Sequence, residues 1–196
     1  VAPTLLGCWV VTDRPEGRVA LRLTEVEAYS GEGVDPASHA HRGPTPRAEI
    51  MFGPPGRLYV YFSYGMHWCA NVVVGPEGRG AAVLLRAGEV VVGDELAHSR
   101  RPAARVPRDL ARGPARLTQA LGIGPDDRGA DLLDPGSSVR LHRGAPPTSV
   151  AAGPRVGISL ATDLPWRFWE PHAPSVSVFR AGGKPRRRTA GQDGIP

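Results

Sequence analysis

The sequence predicts a single domain built on an antiparallel, meander-like β-sheet, with two short helical segments. Three observations predict it. Strand-type runs follow one another across short breaks that contain glycine, which is the spacing of hairpins rather than of parallel crossovers. Only two runs read as helix, and both lie beyond residue 93. The length, 196 residues, fits one domain with an ample core and shows no internal repeat.

The elements follow in order. Residues 19–26 alternate apolar and polar and then become mixed, which reads as a strand. Residues 30–47 are rich in Gly, Pro, Ser and His and read as a long ordered loop. Such loops in compact domains are usually functional. A second strand covers 57–63 and is announced by Gly53-Pro54-Pro55-Gly56. A third covers 68–74 and is closed by Gly75-Pro76; a fourth covers 81–86. Residues 94–98 start a short helix. Residues 114–121 form another, with Pro114 at its first position and Gly122 just past its end. Residues 138–142 and 175–179 are further short strands. The domain is expected over 1–181, and 182–196 reads as a basic, disordered tail.

The chain carries 24 Lys+Arg against 19 Asp+Glu, a formal net charge of +5. Lys184 is the only lysine, so nearly all the cations are arginine. Mechanisms that need a core lysine, such as a Schiff base or a P-loop phosphate cradle, have almost no residue to run on. The small basic excess points to a polyanion, or simply to solubility. No apolar run approaches the ~18–20 residues of a membrane span, and no signal peptide opens the chain. A cytoplasmic, nucleoid-associated protein is expected. Cys8 and Cys69 make neither a disulfide framework nor a CxxC zinc site. The chain opens on Val1 rather than Met, so its terminal amine is not expected to be the native one.

Three features carry candidate chemistry. Glu25 and Glu27 share one face of a strand by alternation, and a carboxylate at a strand end suits a general base; most such glutamates are merely solvated. Tyr59 and Tyr61 share a face, and Tyr64 follows at a turn before Gly65. They either fill the core edge or form a stacking platform for a flat ligand. His39 and His41 lie in the run Ser38-His39-Ala40-His41-Arg42-Gly43. No compact set of further ligands accompanies them, so loop chemistry is favoured over metal.

Taken in order, the motifs resemble the alkyladenine (3-methyladenine) DNA glycosylase family, the mammalian and bacterial type without a helix-hairpin-helix. The resemblance rests on Glu25-Val26-Glu27-Ala28-Tyr29, on Ala37-Ser38-His39-Ala40 with Thr45-Pro46-Arg47, and on Pro55 through Met66. It extends to Cys69-Ala70-Asn71, Val83-Leu84-Leu85-Arg86-Ala87, Gly113-Pro114-Ala115-Arg116-Leu117 and Arg155-Val156-Gly157.

The resemblance implies an α+β fold: a single domain with a curved antiparallel sheet and peripheral helices. It implies a monofunctional enzyme of base excision repair that flips alkylated or deaminated purines out of double-stranded DNA. It implies Glu27 as the base that activates a water at C1′, with Arg86 and the Val156 carbonyl fixing that water and Glu25 in support. Tyr29, His39 and Tyr61 would wall the base pocket, and Asn71 would limit it against the exocyclic amine of guanine. Tyr64 would be the intercalating wedge, with Met66 and His67 on the minor-groove side. No metal or organic cofactor is implied, and a monomer is expected. The lysine count adds that water, not an amine, is the nucleophile, leaving an abasic site without strand cleavage. The rival readings are a non-catalytic nucleic-acid-binding domain on the same scaffold and a protein or small-molecule binding domain.

Overall fold

The structure, a computed structural model, describes residues 1–63 and 65–183. Tyr64 and the segment 184–196, most of the expected tail, lie outside the described residues. Among the described residues eight strands form one antiparallel sheet: β1 (Trp9–Arg14), β2 (Gly17–Tyr29), β3 (Leu58–Ser63), β4 (His67–Val74), β5 (Ala81–Val92), β6 (Val139–His142), β7 (Ala151–Gly153) and β8 (Arg167–Trp169). The main order is β3-β4-β5-β2-β1-β6, with β8 pairing both β2 and β7. Strands β3 to β5 are the expected meander. The sheet departs from a meander at β2, the central strand, whose partner β5 is three strands on in sequence. Helices α1 (Asp94–Arg100) and α2 (Pro114–Leu121) complete the α+β fold. No helix among the described residues is long and apolar enough to cross a membrane.

The strand expected at 175–179 does not form. Its polar groups are satisfied sideways instead. Ser175 Oγ meets Thr24 Oγ1 at 2.8 Å, Val176 O accepts from Arg112 Nε at 2.9 Å, and Ser177 N donates to Glu25 Oε2 at 2.7 Å. The segment is a strap across β2. Helix α2 matches its expected bounds, and Gly122 ends it in the left-handed region at φ 65°.

One sheet face carries the main core. Leu58 and Val60 of β3, Ala70 and Val72 of β4, and Val83 and Leu85 of β5 pack there with Leu117, Ala120 and Leu121 of α2. The intervening residues point to the other face, as period-two alternation requires. Tyr59, Val73 and Ala82 meet Ala40 from the long loop and Ala48 and Met51 from the segment just after it, forming a second cluster. Gly80 permits that approach: a Cβ there would lie 2.7 Å from the Phe52 ring, and its φ is +65°.

A bulge in β2 decides where the glutamates go. The β2–β5 register shifts between Leu23 and Glu25 and again between Glu25 and Val26. Leu21 and Leu23 belong to the main core before the shift, and Val26 after it, with Ala28 packed against that core. Unbroken alternation from Leu21 and Leu23 would send Glu25 and Glu27 into the helix-side core. The extra residue turns them to the loop side, as bulges beside functional sites do.

Candidate active site

A cavity of about 420 Å³ opens on the loop side of the sheet. Its lining includes Tyr59 and Tyr61 from β3, Asn71 from β4, Arg86 from β5, Tyr29 from β2 and His39 from the loop. Val156 and, at the start of α2, Pro114 also line it. The volume falls within the range of small-molecule sites.

The aromatic wall has defined geometry. Tyr59 and Tyr61 stack with centroids 5.5 Å apart and planes at 29°. The His39 ring stands edge-on to Tyr61 at 4.6 Å, and its Nδ1 meets the Tyr59 hydroxyl at 3.0 Å. Desolvation, aided by the Arg47 charge, lowers the His39 pKa to about 4, so at neutral pH the ring carries no charge. Asn71 Nδ2 donates to Tyr59 O at 3.0 Å, which pins the amide in the wall.

Glu27 sits immediately behind the wall and is 0% exposed. Val156 N–H donates to its Oε1 at 2.7 Å, and the Tyr29 hydroxyl donates to its Oε2 at 3.0 Å. Arg86 Nη1 lies 3.4 Å from Oε2. All three of these residues line the cavity. One expectation is thereby refined: the strand runs on to Tyr29, so Glu27 is enclosed rather than facing open loop. The Val156 amide contact to the carboxylate is a further link that the sequence did not indicate. Burial pushes the Glu27 pKa above the usual carboxylate range; Arg86 and the Val156 amide oppose the rise without cancelling it.

Glu25 is the hub of the layer beneath. Its carboxylate accepts from Arg86 Nε at 3.0 Å, Arg167 Nε at 2.6 Å, Ser177 N at 2.7 Å and Ser177 Oγ at 2.9 Å. Arg86 therefore bridges both glutamates. Burial lowers the Arg86 pKa, but the two carboxylates outweigh it and hold the guanidinium ionised. The positions of Arg167 and Ser177 carry no local signal, because each meets Glu25 from the far end of the chain. Tyr59 as a wall residue was legible from its i, i+2 relation to Tyr61.

The remaining candidates lie apart from the cavity lining. Met66 is 66% exposed at the β3–β4 turn, and His67 is exposed at the start of β4. Phe62, 45% exposed, stands beside Trp68 with centroids 4.7 Å apart, so this end of the hairpin is apolar and open to solvent. Tyr64 lies outside the described residues. Among the described residues no group of three or more His, Cys, Asp or Glu is placed to hold a metal ion.

The sequence matches the family described as Methylpurine-DNA glycosylase (MPG) over residues 1–174. A Leifsonia xyli protein is 56% identical over 187 residues, covering 92% of this chain and 87% of its own length. A Streptomyces avermitilis protein is 52% identical over 193 residues, covering 96% and 90%. A Nocardia farcinica protein is 55% identical over 170 residues, covering 84% and 80%. All three are named, provisionally, as 3-methyladenine DNA glycosylases. The match spans every strand and both helices of the fold, and on that ground the chain belongs to the methylpurine-DNA glycosylase family.

Proposed function

We propose that the protein is a monofunctional DNA glycosylase that hydrolyses the N-glycosidic bond of alkylated or deaminated purines flipped out of duplex DNA. The observation that carries the reading is Glu27, a wholly buried carboxylate bonded to three residues that line an aromatic-walled cavity. A carboxylate held there can take a proton from a water aimed at the sugar of a base seated in the cavity. The water oxygen bonds to C1′, the C1′–N bond breaks with its electron pair going to the base, and Glu27 keeps the proton. A cationic alkylated purine leaves neutral. A neutral base such as hypoxanthine needs a proton as it departs.

The wall suits such bases. Stacked tyrosines favour a cationic purine by about 0.5–2 kcal/mol. An uncharged His39 adds no opposing cation. Asn71 occupies the wall where an extra exocyclic amine would intrude. Tyr64 is the proposed wedge in the vacated stack, with Met66 and His67 in the minor groove; unstacking costs a few kcal/mol, part of which a flat ring recovers.

The only lysine, Lys184, is far from these residues in sequence, which supports water rather than a lysine amine as the nucleophile. The test is a panel of single-lesion duplexes scored for free base and for strand nicking before alkali. Release of damaged purine with an unbroken abasic strand is expected. Absence of release from every lesion, or efficient nicking by the pure protein, would overturn the reading.

A further inference from the structure

The long loop and the Glu27 carboxylate are tied together by an ion pair that the sequence reading did not assign. Arg155 and Asp35 are both 0% exposed. Arg155 Nη1 donates to Asp35 Oδ2 at 2.6 Å and Nη2 to Oδ1 at 2.9 Å, a two-pronged pair. Nη1 also donates to Ala28 O at 3.0 Å, between Glu27 and Tyr29 in β2. The guanidinium lies over the Tyr29 ring at 4.6 Å and the Trp166 ring at 5.3 Å. On the loop side, Asp35 accepts from Ser30 N at 3.2 Å and Ala37 N at 3.1 Å. Ala37 and, two residues on, His39 line the cavity. The residue after Arg155 is Val156, whose N–H grips Glu27 at 2.7 Å.

We propose that Asp35 and Arg155 are a positioning pair, which sets the base-pocket loop and the Glu27 carboxylate in one fixed geometry. A buried ion pair is a poor source of stability, because desolvation offsets its attraction. What this pair supplies is placement. One planar fork locates the end of β2, the start of the loop and the Val156 amide relative to one another. The inference rests on the reading of Glu27 as the general base. The groups facing that carboxylate are Arg86 from β5, Glu25 and Tyr29 from β2, and the Val156 amide; the pair acts on the last two.

The test compares wild type, Asp35→Asn and Arg155→Lys in single-turnover excision from a lesion duplex, well below each variant's melting temperature and across pH. Both variants should lose about 10- to 100-fold in rate, as for a small misplacement of reacting groups. Arg155→Lys, which keeps the charge, should also move the acid limb to higher pH, because a weakened Val156 bond no longer favours ionised Glu27. A merely structural pair would lower the melting temperature and leave rate and limb unchanged, which would overturn the proposal. Asp35→Glu, which keeps the charge and breaks the register, carries the same readout if Asp35→Asn does not fold. Glu27→Gln separates the two claims. If it is inactive while the pair variants behave as wild type, only the pair proposal falls. If it remains fully active, the reading of Glu27 falls.

Discussion

Replacing Arg86 with Gln perturbs the charge balance of the site at its centre. Arg86 lies 3.0 Å from Glu25 and 3.4 Å from Glu27, and it is 6% exposed while both glutamates are 0% exposed. At an effective dielectric near 20, opposite charges about 3.4 Å apart attract by about 5 kcal/mol. That attraction favours ionised Glu27 against the desolvation that raises its pKa. With Arg86 removed the pKa rises further, so a smaller fraction of the base is ionised at any pH near it. The acid limb of single-turnover excision should therefore move to higher pH. Stability should fall as well. The two carboxylates favour the Arg86 guanidinium more than burial opposes it, and the variant takes from Glu25 its 3.0 Å partner and from Glu27 its neighbouring cation. Breaking a buried pair costs about 3–5 kcal/mol. At roughly 2–4 °C per kcal/mol for a chain of this size, the melting temperature should drop by roughly 6–20 °C. The assay is base release from a lesion duplex across the acid to neutral range, with melting curves alongside. An acid limb that stays in place, or moves to lower pH, would refute the reasoning.

Three further outcomes are expected. Glu27 has a folded pKa above its unfolded value, so its contribution to stability is full below the unfolded pKa and is lost as pH rises through the folded one. Glu27→Gln removes that loss, and its melting temperature at neutral pH should equal or exceed wild type, converging with it in acid; a lower value at neutral pH would contradict this. The His39 ring resonances should titrate with a midpoint near about 4, not at the ordinary value of about 6.5, although solvent reaching this exposed residue tempers the shift; a midpoint at the ordinary value would show that the pocket presents a cation in mild acid. Asn71→Ala breaks the 3.0 Å bond to Tyr59 O at a cost of about 1 kcal/mol and opens the cavity wall. Release of undamaged guanine should rise relative to lesion release, and an unchanged ratio would remove Asn71 from the specificity of the site.

Local pattern carried much of the fold. The runs at 57–63, 68–74 and 81–86 are mostly apolar stretches set off by Gly and Pro, because one face meets the apolar core and the other the loop side, and each became a strand. Pro114 and Gly122 bracketed α2 because their backbone chemistry acts within one turn. The same logic placed Tyr59 beside Tyr61 and Glu25 beside Glu27. It did not show which side of the sheet receives the glutamates. That depends on the bulge after Leu23, an irregularity of pairing with β5 that has no imprint in the run itself. Strand β1 (Trp9–Arg14) was not legible locally; pairing on both sides, with β2 and the distant β6, makes it a strand. The strap at 175–179 has a strand-like run but pairs with no strand; its backbone and hydroxyls serve Thr24, Glu25 and Arg112 instead. Asp35, Arg155, Arg167 and Ser177 were beyond local reading, since burial of their charges and hydroxyls arises only from tertiary pairing.

The most direct measurement compares wild type and Glu27→Gln on one duplex carrying a single alkylated purine, following binding and single-turnover base release together. Gln preserves the size of the side chain and cannot act as the base. Binding should persist, and release should fall by about 10²- to 10⁴-fold, the usual reach of general-base catalysis. Release at the wild-type rate would contradict the assignment of Glu27 as the group that activates water.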